Sequence, residues 1–101
     1  MVKHVILWKL KDEYQGEELE KIKAGIKEGL EGLKGQIPGL VDIKVNTVGL
    51  DSCKNADLML DSTFESEEAL KGYSVNPAHV AVADGKVRPY TQTRSCFDYE
   101  V

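Results

Sequence analysis

The stretch Lys3-His4-Val5-Ile6-Leu7-Trp8-Lys9-Leu10-Lys11 reads as the first strand of a small sheet. Strand side chains alternate between faces. His4, Ile6, Trp8 and Leu10 therefore share one face, and Lys3, Val5, Leu7, Lys9 and Lys11 share the other. Both faces are apolar in the middle, so neither suits full contact with water. A central strand covered by helices on one side and by a second surface on the other fits this pattern. His4 is the one polar ring on the richer face, which makes it the first residue to consider for chemistry.

Working outward, Asp12 to Gly16 is a polar connection. Glu17 to about Gly35 then reads as a helix, because Leu19, Ile22, Ile26, Leu30 and Leu33 recur at three and four residues. Gly25, Gly29 and Gly32 lie on one side of it, each costing about 1 kcal/mol against alanine. They mark either a close approach to a sheet or ligand, or a weakness tolerated by packing. Gly35 and Pro38 end the helix, and Ile37-Pro38-Gly39-Leu40 is a turn. Val41, Ile43 and Val45 alternate with Asp42, Lys44 and Asn46 as a second strand. Gly49 to Asn55 connects it to a third strand over Ala56–Glu65, with Ala56, Leu58, Leu60, Ser62 and Phe64 on one face.

Ser66 is the expected cap of a short helix that carries Ala69, Leu70 and Tyr73, with Glu67 and Glu68 in its first turn. Pro77 opens a further helical segment that contains His79 and is expected to stop at Gly85. In the last strand Thr93, Ser95, Phe97 and Tyr99 face one way, and Arg94, Cys96 and Asp98 the other. The order is βαββαβ, an α+β, ferredoxin-like arrangement with a four-stranded antiparallel sheet and helices on one face. The other sheet face is expected to hold Val5, Leu7, Val48, Met59 and Cys96, and a second copy packed against it is the simplest cover.

The chain has 101 residues, enough for one domain spanning 1–101. Thirteen basic against 17 acidic residues give a net charge of −4, which argues against nucleic acid as a main partner. No stretch approaches the about 18 apolar residues of a membrane span, and the N-terminus lacks the pattern of a signal peptide. Cys53 and Cys96 form no disulfide framework, so a cytoplasmic protein with reduced thiols is expected.

His4 and His79 are the only histidines. His4 starts the central strand on the helix-covered face, and Tyr73 and His79 lie in the segment expected to cover that face. The three can surround one cavity, where a histidine serves as general base and a tyrosine hydroxyl polarises an oxygen. Each histidine also has a purely structural reading, as a buried ring or a helix-start residue bonded to nearby backbone. Trp8 reads as core, or as a wall for a flat ligand. His-Glu-x-x-His, Cys-x-x-Cys and a glycine-rich phosphate loop are all absent, so neither a metal nor another cofactor is expected.

The opening strand, the Ile37-Pro38-Gly39 turn, Phe64-Glu65-Ser66-Glu67-Glu68-Ala69-Leu70, Tyr73-x-x-Asn76-Pro77-Ala78-His79 and Phe97-Asp98-Tyr99-Glu100 together resemble the stress-responsive alpha/beta barrel domain (Dabb) family. The resemblance implies a dimeric alpha+beta barrel, formed by two sheets packed face to face. Its members include a plant polyketide cyclase whose pocket histidines and tyrosine resemble His4, His79 and Tyr73. A further pocket tyrosine of that enzyme falls near Ile26 here, where no hydroxyl is present.

The leading expectation is a small homodimeric Dabb protein binding a small hydrophobic or carbonyl-containing molecule, with Trp8, Ile26, Leu30 and Phe64 lining the site. The alternative is a cyclase, isomerase or lyase in which His79 is the general base and Tyr73 and His4 polarise a carbonyl. A third reading is a haem- or quinol-type monooxygenase using Trp8 or His79, but the extra polar pocket residues this requires are not evident.

Overall fold

The computed structural model describes residues 1–101. Strand β1 (Val2–Leu10) is followed by helix α1 (Gly16–Glu31) and strands β2 (Leu40–Asn46) and β3 (Leu58–Phe64). Helices α2 (Glu67–Val75) and α3 (Pro77–Val82) come next. A wide helical turn over Ala83–Val87 and a tight one over Arg88–Tyr90 lead into β4 (Thr91–Glu100). The sheet order is β2-β3-β1-β4, with every neighbouring pair antiparallel. Both ferredoxin-like βαβ halves are present, and β1 lies between β3 and β4.

Alternation on β1 organises the core. Val2, His4, Ile6, Trp8 and Leu10 are all buried, while Leu7 is exposed. Opposite them on β3 lie Leu58, Leu60, Ser62 and Phe64, also buried, and Ile43 and Val45 extend the layer across β2. Ile26, Leu30, Leu33, Leu70 and Tyr73 cover this face from the helical side. The Ser62 hydroxyl donates to the His4 carbonyl at 2.8 Å, so the one buried serine is satisfied.

Several boundaries differ from the sequence expectation for identifiable reasons. β3 begins at Leu58, and Asp57 extends the pairing by other means. Its N–H donates to the Trp8 carbonyl, and its carboxylate accepts from Leu10 N at 2.8 Å. α1 ends at Glu31, making Gly32 its C-cap, and Leu33 and Ile37 are buried from the turns that follow. Gly29 meets Val82 and Lys86, so the close approach there is to another helical segment. Gly85 does not stop the helical run, which continues to Val87. The expected caps do form: Ser66 Oγ accepts from Ala69 N at 3.1 Å, and Asn76 Oδ1 accepts from Ala78 N at 2.9 Å.

The outer edge of β2 is closed by side chains of α1. Lys27 Nζ donates to the Val45 carbonyl at 2.8 Å, Glu31 accepts from Val45 N at 2.9 Å, and the two side chains pair with each other. Burial works against the Glu31 charge, but hydrogen bonds from Lys27 and Val45 outweigh it and hold its carboxyl below the ordinary value.

The helix-free face also needs correcting. The β1–β4 register sets Cys96 opposite Ile6, which places Cys96 on the helix side, and Val48 lies beyond β2. The outward row is Val5, Leu7, Met59, Phe97 and Tyr99, with Leu7 opposite Met59 and Val5 opposite Phe97. Phe97 is 68% exposed and stacks obliquely near Tyr99.

Ile37-Pro38-Gly39-Leu40 closes with Leu40 N donating to the Ile37 carbonyl, and Gly39 has φ +79°, the pattern of a type II turn. A Cβ at Gly39 would come within 2.4 Å of the Ala69 Cβ, whereas at Gly35 (φ +87°) it would meet open space. Gly39→Ala is therefore expected to destabilise by about 2–4 kcal/mol, from left-handed strain plus overpacking, and Gly35→Ala by about 1–2 kcal/mol from strain alone. Urea unfolding of both variants checks this; equal losses would contradict the packing contribution.

Candidate functional site

A cavity of about 580 Å³ opens between the sheet and the C-terminal helical segment. The sheet supplies His4, Ile6, Trp8 and Leu60, and α1 supplies Leu30. Tyr73 and Ser74 end α2, His79 comes from α3, and Ala83, Val87 and Arg88 come from the helical turns. Thr91 and Arg94 complete the wall from β4. The wall is thus apolar at its floor and polar toward β4, as small-molecule sites commonly are.

His4, Tyr73 and His79, singled out from the sequence, all line this one cavity. Tyr73 lies between the two histidines, with ring centroids 4.1 Å from His79 and 6.1 Å from His4. The Asn76 cap and Pro77 turn the chain sharply after α2, which brings His79 back over the Tyr73 ring. Trp8 and Leu30 also line the cavity. Ile26 and Phe64 do not: Ile26 is fully buried beneath it, and Phe64 backs Tyr73 at 4.9 Å.

Two polar atoms in this group, Tyr73 Oη and His79 Nδ1, are buried without a hydrogen-bond partner. Such groups normally find partners, because an unmade bond costs about 1–3 kcal/mol. Burial pushes the Tyr73 hydroxyl up to about 12, against a small opposing effect of Arg94, so it stays a phenol donor at neutral pH. Burial also lowers His79 below its ordinary value. The Arg88, His4 and Arg94 charges act in the same direction, and the nearby Ser74 backbone opposes them. His79 is consequently a neutral imidazole near pH 7.

The β4 side of the site went unrecognised in the sequence. Asp98 lies opposite His4 on the paired strand, and its carboxylate accepts from His4 Nδ1 at 2.5 Å. Cys96 lies 3.6 Å from the same nitrogen. Arg94, Cys96 and Asp98 recur every second residue, so a shared face was readable; which face it was depended on the β1–β4 register. Burial, then the Asp98 carboxylate, push the Cys96 thiol up, while Arg94 opposes both.

A dimeric protein of unknown function from Bacteroides fragilis has the same fold, with TM-score 0.89 and 30% identity over 99% of this chain and 95% of that one. An Arabidopsis thaliana protein matches with TM-score 0.75 and 27% identity, covering 100% of this chain and 95% of that one. A hydroxynitrile lyase from Passiflora edulis shares the fold at TM-score 0.72 and 17% identity, over 97% and 90% of the two chains. No functionally curated protein matches the sequence significantly. No helix is long and apolar enough to cross a membrane. The profile of the Stress responsive A/B Barrel Domain matches residues 2–101, nearly the whole length, and the chain belongs to this Dabb family.

Proposed function

We propose that this Dabb protein binds a small carbonyl-containing organic molecule in the cavity between its sheet and helices. The observation that carries this reading is the pair of buried, unpartnered polar atoms, Tyr73 Oη and His79 Nδ1, on adjoining rings of the cavity wall. Both atoms are closed to solvent, so a ligand has to part the two rings as it enters; an oxygen that then accepts from the phenol, beside a polar group reaching His79, would satisfy both. The apolar floor of Ile6, Trp8, Leu30 and Leu60 holds the hydrocarbon part of such a ligand.

The lowered His79 value favours a second step on the same ligand. A neutral imidazole carrying its proton on Nε2 offers the Nδ1 lone pair as a base. His79 then removes a proton α to the carbonyl, while Tyr73 and His4 stabilise the oxygen on which enolate charge develops. Arg94, on the polar wall, adds positive charge. Aldol-type cyclisation, keto–enol isomerisation and β-elimination each begin from such an enolate.

The protein is also proposed to work as a homodimer through the helix-free sheet face. The support is the apolar row of exposed Leu7, Phe97 and Tyr99 with half-buried Met59, and the dimeric state of the Bacteroides fragilis relative. Changing Phe97→Asp together with Leu7→Glu is expected to convert a dimer into a folded monomer in analytical ultracentrifugation. A wild-type chain that sediments as a monomer at micromolar concentration would end this reading.

For the cavity, titrating 2,4-pentanedione against the protein should shift the imidazole NMR signals of His79 and His4 with saturation. His79→Gln and Tyr73→Phe should each weaken binding about tenfold, the equivalent of one hydrogen bond. Histidines that titrate as free exposed rings, indifferent to the diketone and to Tyr73→Phe, would sink the binding site. If His79 is a base, wild type should accelerate α-deuteration of a simple ketone in D2O, and His79→Gln should lose about 100-fold or more. Binding without any such acceleration removes the enzymatic reading and leaves the binding one standing.

The lowered His79 value also sets a pH dependence of stability. The unfolded chain takes up the His79 proton near its ordinary value of 6.5, and the folded chain does so only at lower pH. Stability from this group is therefore complete above pH 6.5 and falls as the pH drops toward the folded value. His79→Gln should remove that part of the slope in urea midpoints measured from pH 7.5 downward.

A further inference from the structure

We infer that His4, Cys96 and Asp98 form a binding site for a thiophilic divalent cation, zinc being the natural occupant. Three chemically different donors converge here: an imidazole nitrogen, a thiol and a carboxylate, all within 4.8 Å of one another. The sheet fixes them. Cys96 and Asp98 are two residues apart on one strand and so share a face, and Asp98 is the direct cross-strand partner of His4.

The spacing matches a zinc tetrahedron on two of its three edges. Zinc–sulfur bonds of about 2.3 Å and zinc–nitrogen or zinc–oxygen bonds of about 2.0–2.1 Å put sulfur roughly 3.5 Å from either neighbour at tetrahedral angles. In the structure, Cys96 Sγ lies 3.6 Å from His4 Nδ1 and 3.4 Å from the Asp98 carboxylate. The third edge, His4 to Asp98, is short at 2.5 Å, where the two side chains are hydrogen-bonded. Replacing the hydrogen-bond proton with the ion requires this edge to open by roughly 0.8 Å, to the tetrahedral separation for these bond lengths. The Asp98 side chain is 44% exposed and free to swing by that amount.

The charges also balance. A thiolate and a carboxylate neutralise a divalent ion, and His4 binds as a neutral ring with its remaining proton on Nε2. Binding displaces the thiol proton and the proton held between His4 Nδ1 and Asp98. Thiolate and imidazole together select zinc or cobalt over magnesium and calcium, which prefer all-oxygen sites. Three protein ligands leave a fourth position open, the pattern of reactive rather than structural zinc. His4 lines the cavity and Asp98 lines a neighbouring pocket, so the ion would sit between the two. This inference is independent of any organic ligand, since its test reads the metal alone.

The test is titration of the full-length protein with cobalt(II), followed by competition with zinc. One cobalt per chain should give a thiolate-to-cobalt charge-transfer band in the near ultraviolet and strong tetrahedral d–d bands, both bleached by zinc. Cys96→Ser should abolish the charge-transfer band and Cys53→Ser should leave it intact. Asp98→Asn should weaken binding by about 10-fold or more, since even the loss of an outer hydrogen-bond partner commonly costs that much. Cys96 and Asp98 are exposed, so these variants are expected to fold, which circular dichroism checks. Absence of a thiolate band in wild type, its persistence in Cys96→Ser, or indifference to Asp98→Asn would overturn the site.

Discussion

The pairing of β1 on both of its edges is the constraint on which the rest of the molecule depends. A strand held between β3 and β4 cannot slip by one residue without moving its whole core set to the wrong face. Five inward side chains, from Val2 to Leu10, are thereby fixed as core, and His4 is fixed among them. The same register decides what lies beside His4: Ser62 and Asp98 are its direct neighbours across the two ladders. The central strand thus builds the core and, at its first turn toward the cavity, a polar cluster.

The cavity arises where helical cover runs out. α1 packs mainly over β2, and α2 reaches β1, β2 and β3, so the side chains of Phe64 and Ile26 are fully enclosed. Beyond them the chain spends residues 77–90 in short helical turns, which pack on α1, α2 and one another. The inner side of β4 is left open, with Arg94, Cys96 and Asp98 all exposed. Polar groups can therefore border an otherwise apolar chamber without the full cost of burying charge.

Much of this was legible in the sequence because it depends on periodicity. Alternation in β1, β2 and β3, the apolar repeat of α1, and the Ser66 and Pro77 signals gave the element order and placed His4, Tyr73 and His79 around one space. The failures share a different physical origin. Ile26 and Phe64 sit on the correct face, yet whether an inward residue reaches a chamber or the packed core depends on which part of the sheet the helices cover, which periodicity does not encode. Cys96 was assigned to the wrong face because an amphipathic phase on β4 is missing: both its faces are exposed, so only the ladder to β1 could settle it. The Asp98–His4 pair, 94 positions apart in the chain, was hidden for the same reason.

The two rims of the sheet differ in a way that bears on how copies of this protein can grow into larger aggregates. At β2 the Val45 amide and carbonyl are already occupied by Glu31 and Lys27, and the Lys23 ammonium reaches the Thr47 carbonyl. An incoming extended peptide would have to displace these charge-assisted bonds before it could add to that rim. Fibril-like propagation needs two receptive rims on each copy, one to accept and one to donate. With Val45 covered by α1, the β2 rim resists strand addition more than the β4 rim, and a growing polymer lacks a second, equally receptive end.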